Sequence, residues 1–148
     1  MIIIKDTERS CVQSAFDGSI HKLYRGHSAR QRLENEVRVL EHLRLSSCPF
    51  VPRLIAVDRP SLQIVQTNCG VAVQRLDEQR LKELFAALNA FGVEHGDCEL
   101  RNVTYRATDG AFCVVDFEFA RIIEPKWSVE LDRLEVQIDS AIDDLLSH

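Results

Sequence analysis

With 148 residues, 45% hydrophobic and 28% charged, the chain can form one sizeable core or two small lobes, but not two independent domains. A net charge of -5 at pH 7 leaves no basic patch for a phosphate backbone, so direct binding to DNA or RNA is not expected. The five cysteines, Cys11, Cys48, Cys69, Cys98 and Cys113, are odd in number and lack C-x-x-C spacing, which suggests free thiols in a reducing compartment.

The run Met1-Ile2-Ile3-Ile4-Lys5 is too short for a signal peptide or a membrane span, and no later apolar run approaches ~20 residues. The expected location is the cytoplasm, or the nucleus, with no membrane partner. Residues 2–5 are expected to form a first strand. Asp17-Gly18 is a turn pair, so residues 11–16 and 19–25 should form a β-hairpin around it. Leu33, Val37, Leu40 and Leu43 recur at helical spacing and predict a helix over 28–45, with Ser28 and Gln31 forming a capping box.

Cys48-Pro49-Phe50-Val51-Pro52 then breaks the chain before two short strands, 54–58 and 62–66. Residues 1–66 therefore read as a small antiparallel β lobe with one helix, and Thr67-Asn68-Cys69-Gly70 as the turn that leaves it. Leu81, Leu84, Phe85 and Leu88 share one face of the next helix. Residues 103–106 and 111–116 should pair around Thr108-Asp109-Gly110. Leu131, Leu134, Ile138, Ile142 and Leu145 mark a last helix, from 127 or 128 to about 146. The chain has no internal repeat and no low-complexity tail.

The most informative stretch is His95-Gly96-Asp97-Cys98-Glu99-Leu100-Arg101-Asn102, with Asp116-Phe117-Glu118 beginning fourteen residues after Asn102. In phosphoryl transfer, metal ions must meet the charge on the moving group, those ions need hard oxygen ligands, and the acceptor hydroxyl needs a carboxylate to orient it. Asn102 and Asp116 can supply the ligands, and Asp97 the carboxylate. Upstream, Lys22 lies in the second arm of the hairpin and Glu36 lies fourteen residues later on the first helix.

Those residues and their order resemble the protein-kinase-like superfamily, whose catalytic loop has the form H-x-D-x-x-x-x-N. The H-G-D loop and small size are similar to the compact kinase of the KEOPS tRNA-modification complex. The Asp116-Phe117-Glu118 ending resembles the aminoglycoside and choline kinase branches. The resemblance implies a single α+β domain with a two-lobed minimal kinase-like fold, residues 1–66 forming the small lobe, 67–70 the hinge and 71–148 a reduced helical lobe. Lys22, held by Glu36 or alternatively Glu34, would position the phosphates of ATP. Backbone groups of the hinge, at Asn68 and Gly70, would hold the adenine. Asn102 and Asp116 would bind magnesium with help from Glu118, and Asp97 would act on the hydroxyl. Asp132 on the last helix matches the residue that anchors the catalytic loop.

The implied function is magnesium- and ATP-dependent transfer of the γ-phosphoryl group to a hydroxyl, with a protein Ser/Thr favoured as acceptor. The alternatives are a small-molecule kinase and a pseudokinase that binds nucleotide or protein without transfer. The chain also departs from the family pattern. Gly96 stands in place of the arginine that reads a phosphorylated activation loop, so that form of control is not expected. Glu118 replaces a glycine, Glu99 replaces a phosphate-contacting lysine, and Asp6-Thr7-Glu8-Arg9-Ser10 has no glycine where the family cradles phosphates. His95 is expected to brace the loop, while His21, His27, His42 and His148 lack metal-ligand spacing. The chain is too short for a full helical platform, so substrate recognition would fall to the site rim or to a partner protein.

Overall fold

Asp17 accepts hydrogen bonds from the Ser19 N–H at 2.9 Å and the Ser19 hydroxyl at 2.6 Å, and Gly18 takes φ +86. These local contacts close the hairpin between β2 (Ser10–Ser14) and β3 (Ile20–Tyr24), which pair with Ser14 opposite Ile20. The computed structural model describes residues 1–123 and Leu145. The rest of the expected last helix, with Asp132, and His148 lie outside the described residues.

The first sheet is antiparallel. It is completed by β1 (Ile2–Asp6), β4 (Leu54–Asp58) and β5 (Gln63–Gln66), in the order β1-β2-β3-β5-β4. Along β3 the alternation is strict: Ile20, Lys22 and Tyr24 are buried on one face, with His21 and Leu23 less so on the other. A lysine in the middle of a buried face needs anionic partners. The helix α1 (Ala29–Leu45) provides one, because its buried stripe is Ala29, Arg32, Leu33, Glu36, Val39, Leu40 and Leu43. The stripe is rotated slightly from the sequence reading, which had Val37 in it; Val37 is only half-buried and Glu36 faces inward.

The expected capping box does not form. Ser28 has φ +55 and makes no side-chain cap bond. Arg32 fixes this approach instead, donating to the carbonyls of His27 at 3.0 Å and Arg25 at 2.6 Å. The same guanidinium reaches the Arg9 carbonyl at 3.2 Å; as a donor-only group it orients the incoming chain without replacing the serine oxygen as an acceptor.

After the first sheet come β6 (Val71–Ala72), α2 (Glu78–Ala90), β7 (Val93–Glu94), a 3₁₀ turn (Leu100–Asn102), β8 (Val103–Arg106), β9 (Ala111–Val114) and β10 (Arg121–Ile122). They form a β6-β8-β9 sheet and a β7-β10 pair. Asp77 caps α2 by accepting from the N–H of Gln79 at 2.7 Å and of Arg80 at 3.4 Å. Phe85 and Leu88 are its buried residues, while Leu81 and Leu84 are half-buried at the edge of the core. The strand expected over 111–116 stops at Val114, because Asp116 turns to φ +65.

One continuous core runs from Tyr24, Leu33, Leu40 and Ile64 to Leu88, Val93, Val103 and Phe117. Each such side chain, fully buried, stabilises the fold by about 1.5–3 kcal/mol. The chain is therefore an α+β protein built on antiparallel sheets. Among the described residues no helix is long and apolar enough to cross a membrane.

Candidate active site

His95 is fully buried and fixes the loop that follows it. Its Nδ1 accepts from the Asp97 N–H at 3.1 Å, so its Nε2 is the protonated nitrogen and donates to the Val115 carbonyl at 2.9 Å. Edge contacts with Phe85 and Phe117, both at 5.1 Å between ring centres, hold the ring from either side. The bracing role expected of His95 is thus geometrically explicit. Gly96 has φ +85, and a Cβ there would sit 2.5 Å from the Phe119 carbonyl oxygen, so only glycine fits.

The loop then closes on itself. The Asn102 amide donates to the Asp97 carbonyl at 2.9 Å and to Asp97 Oδ2 at 3.0 Å, through Nδ2 in both cases. Asn102 Oδ1, the kind of oxygen a hard cation accepts, takes no part in these bonds. Arg101 covers the same carboxylate, its Nη2 lying 2.7 Å from Asp97 Oδ1 and 2.8 Å from Oδ2. This bidentate pair ties Arg101 to the carboxylate four residues before it.

Behind the loop lies a network of buried charge. Lys22 Nζ is 2.8 Å from Glu36 Oε1, 3.0 Å from Glu118 Oε1 and 3.2 Å from Asp116 Oδ1. Glu36 also accepts from the Tyr24 hydroxyl and, at 2.6 Å, from the Phe117 N–H. Arg32 Nη1 stands 3.3 Å from Glu118 Oε2, and Lys5 Nζ stands 3.3 Å from Asp116 Oδ2. Three carboxylates therefore face three cations, which is what lets so much charge leave water.

The balance is visible in the titration of the groups. Burial disfavours the Lys22 ammonium, but the three carboxylates outweigh it and hold its pKa above the ordinary value. Burial and the neighbouring Glu36 charge push the Tyr24 hydroxyl up as well, so it stays a donor. For Asp116, burial acts upward and the charges of Lys22 and Lys5 act downward more strongly, bringing it to about 2.

A cavity of about 420 Å³ opens in front of this network, lined among others by Lys5, Arg9, Asp97, Arg101, Asp116 and Glu118. The glycine-free segment Thr7 to Ser10 forms part of its wall. Lys22 and Asn102 stand directly behind it, each bonded to a lining residue. Of the residues expected to act together, Lys22, Glu36, Asp97, Asn102, Asp116 and Glu118 are thus assembled at one place. Glu34 is not among them; it pairs with Arg59 at 2.6 Å on the surface.

Asn68 and Gly70 are not brought to this cavity. They border a separate one of about 610 Å³, beside Gly18 and Arg106. The Gly70 N–H donates to Asn68 Oδ1 at 2.8 Å and Asn68 Nδ2 to the Gly18 carbonyl at 3.1 Å, while the Cys69 carbonyl between them accepts from the Thr104 hydroxyl at 2.6 Å. The adenine contact expected at these two residues has no free Gly70 N–H to use.

Metal binding was expected at Asn102, Asp116 and Glu118. Among the described residues, the acidic groups that converge are Glu36, Asp116 and Glu118, with one carboxylate oxygen of each inside a 4.8 Å circle. Lys22 Nζ already touches all three. Glu118 Oε1 is buried without a hydrogen bond, its contact with Lys22 being one of charge alone. The donors are all hard oxygens, and Asp116 and Glu118 reach the cavity wall, so the residues suit a hard cation on the cavity side of Asp116.

Sequence reasoning missed Lys5, Tyr24 and Arg32. Tyr24 was within reach of it, because positions 22 and 24 of one strand share a face. Lys5 and Arg32 meet partners 111 and 86 residues away, and no local pattern signals such contacts. No protein-family model matches the chain, and no curated protein matches its sequence.

Proposed function

We propose that the chain is a minimal two-lobed, kinase-like phosphotransferase that uses magnesium and ATP and delivers the γ-phosphoryl group to a protein Ser/Thr hydroxyl. The observation that carries this reading is the meeting of Lys22–Glu36, Asp116 and the Asp97–Asn102 loop at one cavity, from four separated stretches of chain. Asp97 orients the acceptor hydroxyl and takes its proton. Asn102 fixes Asp97 through two bonds and keeps Oδ1 for a cation. Lys22, anchored by Glu36, holds Asp116 at the cavity wall rather than reaching the phosphates itself, since Lys22 is only 3% exposed. Magnesium held at Asp116 would neutralise the charge of the phosphates. The Asp97 side chain is 30% exposed at the rim, which suits a hydroxyl presented by another protein more than an enclosed small molecule.

A second reading, a pseudokinase that binds nucleotide or protein without transfer, draws on three other contacts. Arg101 covers Asp97, Lys5 covers Asp116, and Asn68 takes the Gly70 N–H. Radiolabelled ATP separates the two. The wild type should label itself or an added protein slowly with magnesium or manganese, and Asp97→Asn should lower the rate by roughly 10²–10⁴-fold. Melting temperature and its rise with magnesium-ATP should stay nearly the same in the variant. A nucleotide-dependent shift without transfer in the wild type would favour the binding module. The absence of both shift and transfer would end the kinase reading and the nucleotide-binding form of the second.

A further inference from the structure

We propose that Lys5 is a displaceable counter-ion, which holds Asp116 while no divalent metal is bound and leaves it when one enters from the cavity. The inference rests on the metal-at-Asp116 part of the proposed function and adds a residue to it. Its starting point is the register of β1. Ile3 pairs with Gln13, so a regular antiparallel ladder would place Lys5 opposite Cys11; instead Lys5 pairs with Val12, across a register shift.

That irregularity has a consequence for direction. Val12 is the cross-strand partner of Lys22, so Lys5, Val12 and Lys22 fall in one row, and the two lysines face the same side of the sheet. A shift of one residue reverses the face a side chain takes, and bulges re-aim side chains in this way. Without the shift Lys5 would point away from Asp116. With it, the two ammonium groups reach opposite oxygens of one carboxylate, Lys22 at Oδ1 and Lys5 at Oδ2.

The two cations differ in freedom. The Lys22 side chain is 4% exposed and bound to three carboxylates, so it has nowhere to go. The Lys5 side chain is 41% exposed, lies on an edge strand, and has only Asp116 as an ionic partner among the described residues. Lys5 is thus the cation that can be exchanged. A divalent ion at Oδ2 would compete for the same lone pairs and repel the ammonium at close range. Lys5 lines the cavity, so the freed ammonium remains beside any phosphate that accompanies the ion, where the Thr7–Ser10 segment offers no glycine.

The test is manganese binding without nucleotide, read as loss of the free-ion signal in electron paramagnetic resonance. Wild type, Lys5→Met, Asp116→Asn and the double variant are compared after thermal melting confirms that each is folded. Lys5→Met should bind manganese about tenfold more tightly than wild type, since one positive charge has left the site. The gain should vanish in the double variant. Equal affinity in wild type and Lys5→Met, with Asp116→Asn weakening both, would overturn the role of Lys5 and leave the metal site intact. Binding that is indifferent to Asp116 in every protein would overturn the metal site and the inference with it.

Discussion

Replacing Lys22 by methionine removes an ammonium from the centre of three carboxylates while keeping most of its volume. Glu36 and Glu118 are 1% and 5% exposed, so neither can turn to water once the charge is gone. Glu36 would keep the Tyr24 hydroxyl and the Phe117 N–H, but Glu118 would be left with Arg32 as its ionic partner. Leaving buried charge uncompensated costs about 3–5 kcal/mol. For a chain of this size that corresponds to a fall in melting temperature of roughly 10 °C or more. Urea denaturation followed by circular dichroism measures the loss, and Lys22→Met/Glu36→Gln provides the control. Because the second change removes one stranded carboxylate, the double variant should be more stable than the two single losses would sum to. If Lys22→Met unfolds within about 1 kcal/mol of wild type, the charge network does not hold the fold as argued. The result also bears on function, because an inactive Lys22 variant that is partly unfolded says nothing about catalysis.

Three further outcomes are expected. Asp116 titrates near 2 in the folded chain against an ordinary 3.8, so its contribution, about 2 kcal/mol from the difference of 3.8 and 2, is complete above pH ~4 and lost as pH falls toward 2. Stability measured between pH 5 and pH 2 should fall less steeply in Asp116→Asn than in wild type, and parallel slopes would refute the assignment. Gly70→Ala should destabilise by about 2–4 kcal/mol, because the added Cβ lies 1.9 Å from the Tyr105 carbonyl oxygen, whereas Gly18→Ala, also at positive φ but with open space around it, should cost about 1 kcal/mol; chemical denaturation of the pair decides. Native alkylation read by intact mass should modify Cys98 alone of the five thiols, faster at pH 9 than at pH 7 because partial burial and the Asp97 charge hold its thiol above the ordinary value, and a second rapid adduct would contradict the burial of the others.

Local chemistry made much of the fold legible from the sequence. Asp17-Gly18 placed the hairpin, and the stripe through Leu33, Leu40 and Leu43 placed α1 to within a residue of its start. The strand over 54–58 was read at its observed bounds. Lys22 and Glu36 were matched by the order and spacing of their strand and helix and not by periodicity, since the buried face of α1 holds Arg32 as well as Glu36. Boundaries failed where long-range contacts took over local roles. β9 ended early because Asp116 turns toward two lysines, and Ser28, at φ +55, makes no cap bond.

What the sequence by itself determined is the chemistry available: a loop with Asp97 and Asn102, a strand-end Asp116, a lysine on a hairpin arm and a glutamate on the first helix. Only the tertiary structure decided how those groups are used. The shift in β1 turns Lys5 onto the face of Lys22, Arg101 closes over Asp97, and Asn68 bonds Gly70 at the segment expected to meet adenine. The physical reason is that periodicity reports which face a side chain takes along its own element. Which charge it meets across the core depends on register and packing between segments distant in sequence, and a single-residue shift there reverses the answer.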